Sequence, residues 1–116
     1  MSLRFVDARD DNALPDGLTD WLVQSVLRDL ADGSSFRDVI YRHGIQDRRM
    51  KQWRAQAKDD ARSGRDTPVM RFIAEVEKLD EINDYYGFPF ERWERKHPPG
   101  TAYEAAARVL GHAPEF

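Results

Sequence analysis

The side chains able to do chemistry are concentrated in one stretch. From Asp47 to Arg62 the chain reads DRRMKQWRAQAKDDAR, with Arg48, Arg49, Lys51, Arg54, Lys58 and Arg62 set among Met50, Trp53 and Ala57. Wound as a helix at about 100° per residue, Met50, Trp53 and Ala57 define one side, and Arg48, Gln52 and Ala55 point directly away from it. Arg49 and Gln56 fall on one flank, and Lys51, Lys58 and Arg62 on the other. A planar guanidinium matches O6 and N7 of guanine in bidentate fashion, and a carboxamide does the same for N6 and N7 of adenine. Arg48 and Gln52 are therefore the candidate readers of base edges in a major groove. Arg49, Lys51, Arg54 and Lys58, with Arg37 and Arg42 from the preceding segment, are the candidate phosphate contacts. Such contacts neutralise charge and fix orientation without carrying sequence information.

The total charge argues against a polyanion partner, and its distribution argues for one. The chain has 18 basic and 21 acidic side chains, a net of -3. Residues 35–71 hold ten basic against five acidic, net +5, whereas residues 1–34 (three against seven) and 72–116 (five against nine) are each net -4. Local field rather than total charge steers an encounter, so a basic third between acidic flanks is an electrostatic footprint for nucleic acid. The plainer reading is a solvated Arg-rich face, and three-helix arrangements also serve protein–protein contacts. The coincidence of turn spacing, basic enrichment and acidic neighbours favours double-stranded DNA.

Other chemistries have less behind them. Trp53 can stack on a base, but its place on the wheel assigns it to the core. His43, His97 and His112 are scattered and no cysteine accompanies them, which predicts no metal site. Glu77, Glu81 and Asp84 are helix neighbours whose ordinary role is an acidic solvated face. The chain has no Ser-His-Asp order, no Gly-rich phosphate loop and no GxSxG, so the expectation is a protein without catalysis or cofactor.

Holding those cations in a row requires helices, and the punctuation for them is present. Thr19 caps a first helix, with Leu18 and Val23 as a staple and Val23, Val26, Leu27 and Leu30 on its apolar side until Gly33. Ser35 with Asp38 forms a capping box for a short second helix bearing Phe36, Val39 and Ile40 before Gly44. The basic helix begins near Gln46 or Asp47 and fades around Ser63 and Gly64.

Thr67 and Pro68 then open a longer helix. Val69, Phe72, Ile73, Val76, Leu79, Ile82 and Tyr86 trace its apolar side, and Glu75, Glu77, Asp80, Glu81 and Asp84 give it an acidic outer side. Residues 88–100 predict a turn or short helix with Phe88, Phe90 and Trp93 packed inward. Tyr85, Tyr86, Phe88, Phe90 and Trp93 make a second small core or an interface. Thr101 and Glu104 predict a capping box for a last helix with Tyr103, Ala106, Val109 and Leu110 inward. No strand alternation, repeat or low-complexity run appears. The class is all-α: an N-terminal three-helix unit, a longer helix and a short C-terminal helix.

The stretch LRDLADGSSFRDVIYRHGIQDRRMKQWRAQA resembles the helix-turn-helix of phage terminase small subunits and of transposase N-terminal domains. In those a helix ending at a Gly-containing turn leads into a recognition helix ending in Trp. The resemblance covers roughly residues 19–58, about a third of the chain. Two positions depart from the pattern. Ile40 stands where Ala is usual, which requires a wider crossing or a rotated first helix. Gln46 and Asp47 replace the usual Ser or Thr cap, Asp47 being the stronger cap. The resemblance implies recognition of packaging-site DNA, oligomerisation and delivery of DNA to a large ATPase and nuclease subunit in a host cytoplasm. A phage or mobile-element transcription or recombination regulator is a second reading. A helical module that binds a partner protein through its acidic helix and aromatic segment is a third.

At 116 residues the chain predicts one modest domain, divided into an arm (1–18), the helix-turn-helix unit (19–66) and a helical support or oligomerisation segment (67–116). Zero cysteines remove disulfides and thiol chemistry and point to the cytoplasm, and no apolar stretch is long enough for a membrane. The stripe on the long helix exceeds what its short neighbours can cover, so it predicts burial against a second copy in a homo-oligomer; the alternative is that residues 88–116 fold back over it and leave a monomer.

Overall fold

The computed structural model describes residues 14–86 and 97–114, the side chains of 81–86 excepted. The described chain is all helical: α1 (Asp20–Ala31), α2 (Phe36–Arg42), α3 (Asp47–Arg62), α4 (Pro68–Tyr86) and α5 (Thr101–Leu110). Most of the arm, the inward packing expected of Phe88, Phe90 and Trp93, and the placing of Ile82, Tyr85 and Tyr86 lie outside the described residues.

Local chemistry sets the helix boundaries. Thr19 accepts the Leu22 N–H at 3.1 Å and Ser35 accepts the Asp38 N–H at 3.2 Å. α3 starts one residue earlier than an Asp47 cap would have it. Gln46 is the cap residue and its side chain makes no capping bond, while Asp47 lies in the first turn. The Thr101–Glu104 box does not form as expected. Gly100, at φ 89, caps α5, and the Thr101 hydroxyl turns back to donate to the Pro98 carbonyl at 2.7 Å.

α4 is the axis of the core. Val69, Phe72, Ile73, Val76 and Leu79 are all buried, covered within the chain by α1, α3 and α5. From Val69 to Leu79 the stripe is therefore intramolecular core; its Ile82 and Tyr86 end lies outside the described side chains. α1 contributes Val23, Val26, Leu27 and Leu30, and α5 contributes Ala105, Ala106 and Val109. The buried side of α5 runs through Ala105, Ala106 and Val109, and Tyr103, expected inward, lies off that side and stands 44% exposed.

The acidic side of α4 also departs from a solvated face. Glu75 is buried and holds Arg108 of α5 in a two-point pair, Oε2 to Nε at 2.7 Å and Oε1 to Nη2 at 3.0 Å. Asp80 accepts the Phe36 N–H at the start of α2. Arg71 reaches the Val109 carbonyl at the end of α5 with Nε at 3.3 Å and Nη2 at 3.1 Å. At the corner between α3 and α4, the Thr67 hydroxyl donates to the fully buried Asp60 at 2.8 Å, and Arg65 Nη2 lies 3.4 Å from its other oxygen.

Candidate nucleic-acid interface

α3 is presented by its contacts with α4, through Met50, Trp53 and Ala57 on the buried side. Trp53 packs edge-on against Phe72, ring centroids 6.1 Å apart, and its indole N–H donates to the Asp16 carbonyl at 3.1 Å. A buried indole needs such a partner, and a ring held this way is not free to stack on a base.

The turn ahead of α3 is fixed by backbone geometry. Gly44 takes φ +65, and the Ile45 N–H returns to the Ile40 carbonyl at 3.0 Å, the six-to-one bond of a Schellman ending. Asp29 of α1 then pins the end of α2, with Oδ2 2.8 Å from His43 Nε2 and 3.0 Å from Arg42 Nη1. Trp21 meets the His43 ring edge-on at 6.1 Å. α2 packs against α1 and makes no comparable contact with α3. An open groove lies between them, lined by Phe36, Arg37, Ile40, Asp47, Met50, Lys51 and Arg54.

The candidate site residues divide sharply. Arg48 and Gln52, the candidate base readers, are exposed with no intramolecular partner among the described residues. Lys58 and Arg37 are likewise exposed and unpaired among the described residues. Lys51 touches only Asp47, one turn back, at 3.5 Å, an exposed pair of small worth.

The other three candidates serve the fold. Arg42 is bound to Asp29. Arg49 is half-buried and gives Nη1 to both the carbonyl and the carboxylate of Asp16, each at 3.1 Å. Gly17 packs beside it, so close that a Cβ there would sit 3.0 Å from the guanidinium. Arg54 pairs with Glu77 at 3.0 Å and lies over the Phe36 ring, 5.6 Å from its centroid.

Arg62, also exposed and unpaired among the described residues, belongs with the free cations, and its place beside Lys58 on the wheel was the signal for it. Tyr41, 89% exposed, stands one turn after Arg37 on the outer face of α2, and Trp21 is 66% exposed on α1. The spacing of Tyr41 from Arg37 was visible in the sequence; its exposure was not, because an aromatic at that position reads equally as core.

The arrangement offers a convex, cation-bearing helix face with a carboxamide and a guanidinium one turn apart at its centre. Among the described residues no group of His, Asp and Glu is placed to hold a metal ion, and no helix is long and apolar enough to cross a membrane. Compared with protein-family models, with curated proteins and with solved structures, the chain matches none.

Proposed function

We propose that this protein binds double-stranded DNA through the outer face of α3, with Arg48 and Gln52 directed at base edges and Lys51, Lys58, Arg62 and Arg37 at phosphates. The observation that carries this reading is the division of the cations. Arg49 and Arg54 at the margins of α3 are engaged by Asp16 and Glu77, and Arg42 at the end of α2 by Asp29, whereas Arg48 and Arg62 along the outer face of α3 have no partner among the described residues and keep their donors for a ligand. A row of solvated cations on a helix packed through its opposite side suits phosphate contact, since the one ion pair at stake is the exposed Lys51–Asp47 pair of small worth.

The resemblance to the terminase small-subunit helix-turn-helix extends this reading to packaging-site recognition by an oligomer that works with a large ATPase and nuclease subunit. A phage or mobile-element regulator uses the same contacts on a different target. Fluorescence anisotropy with random-sequence duplex at low and moderate salt tests the common core of both. Binding that weakens steeply with salt is expected; no binding at low salt by folded protein rules the reading out.

A further inference from the structure

The groove between α2 and α3 is a second surface with chemistry of its own. Phe36, Ile40 and Met50 form its floor, Arg37, Lys51 and Arg54 its rim, and Asp47 is the one carboxylate among its described lining residues, in a volume of about 410 Å³. Phe36 and Ile40 are only half-buried there. The walls of the groove are fixed in place: Asp80 accepts the N–H at the start of α2, and Arg54 of α3 lies over the Phe36 ring and pairs with Glu77. An apolar floor left half in water is a place where burial by another molecule is favourable.

The rim selects the occupant. Arg37 stands on one wall and Lys51 and Arg54 on the other, so a molecule seated here must be apolar at its centre and anionic along its edges. A duplex satisfies the rim and leaves the floor unfilled. On the acidic helix α4, Glu75, Glu77 and Asp80 are each engaged by a group within their own chain, so they are not the carboxylates a second copy would bring to this rim. We propose that the groove receives an acidic amphipathic segment of a partner protein. Its apolar side chains enter between Phe36, Ile40 and Met50, and its carboxylates meet Arg37 and Lys51. Because Arg37 and Lys51 also belong to the face assigned above to DNA, such a segment and a duplex would compete; that consequence alone rests on the DNA reading.

The test uses the full chain and three labelled probes read by anisotropy: a helical peptide with Leu and Phe on one face and Glu on the other, the same peptide with Lys for Glu, and oligoglutamate of equal length. The acidic amphipathic peptide is expected to bind, the Lys version not to bind, and oligoglutamate to bind at least about tenfold more weakly. Ile40→Ala and Arg37→Glu are each expected to weaken the amphipathic peptide about tenfold with the melting curve retained, and amide shifts should cluster at Phe36–Ile40 and Met50–Arg54. Arg37 is exposed, so its variant reads the groove even where Ile40→Ala disturbs the fold. Equal binding of oligoglutamate, or indifference to both variants, reduces the groove to a charged surface and overturns the proposal. So does absence of binding by folded protein. A concentration-dependent dimer lost in Arg37→Glu would assign the groove to a second copy instead, and duplex affinity that falls in Ile40→Ala would assign it to DNA; either result also overturns the proposal.

Discussion

The Asp80 carboxylate of α4 accepts the backbone N–H of Phe36, the first residue of α2, at 3.0 Å across 44 positions of sequence. The first N–H groups of a helix have no partner within it, and a carboxylate is favoured there by the helix dipole as well. α2 has seven residues and one buried side chain, so it has little of its own to hold it. Ser35 caps it locally and Asp80 fixes it to the core.

Asp80→Ala is accordingly expected to destabilise the protein by about 1 kcal/mol and Asp80→Asn by less. Hydrogen exchange is the sharper readout: the amides of α2 should exchange faster in Asp80→Ala while those of α1 and α4 change little. Unaltered exchange at Phe36 would mean that Asp80 does not hold α2.

Asp60 is the costliest carboxylate to remove. It is fully buried, accepts from Thr67 and faces Arg65, so Asp60→Ala takes an acceptor from a buried hydroxyl and a counter-charge from a guanidinium. A loss of roughly 3–5 kcal/mol is expected by denaturant titration, against about 1 kcal/mol for Thr67→Val. Similar costs for the two would show that the corner is held by packing alone.

Two groups give stability a pH dependence of the same sign. Burial pushes His97 below its ordinary 6.5, although a hydrogen bond with the Leu79 backbone opposes the shift. The unfolded chain therefore binds the proton first, and this contribution is present above 6.5 and lost as pH falls through the folded value. The Arg108 guanidinium, hydrogen-bonded to Glu75, holds that carboxyl below 4.5 against the opposing effect of burial. Its contribution is present above 4.5 and is lost at still lower pH. Melting temperature should fall in two stages on acidification, with His97→Gln removing the first and Glu75→Gln the second. A melting temperature flat from neutrality to pH 5 would contradict the first assignment.

The free and engaged cations should behave oppositely on mutation. Replacing Lys51, Lys58 and Arg62 by Ala is expected to flatten the slope of log affinity against log salt by up to about three phosphate equivalents with the melting curve unchanged. Arg48→Ala or Gln52→Ala should each cost about 1–3 kcal/mol on a selected site and relax one or two base positions. Arg42→Ala and Arg49→Ala should instead lower stability, by about 1 kcal/mol, through the loss of Asp29 and Asp16. Equal salt slopes for the two groups would remove the distinction.

The sequence by itself determined what depends on near neighbours. Caps at Thr19 and Ser35, the turn at Gly44 and the apolar spacing on α1, α3 and α4 act over three to five residues, and the helices begin and end where those signals stand. The outer position of Arg48 and Gln52 followed from the same helical period. Only the tertiary structure decided which charges are spent inside the fold. Arg49 meets Asp16 and Arg108 meets Glu75, each pair 33 positions apart, and Arg54 meets Glu77 at 23. Helical period places a side chain on a face; it does not say which other helix lies against that face. For that reason Glu75 and Asp80 read as solvated acids, and the stripe on α4 read as unfinished, until α1, α3 and α5 were packed around it.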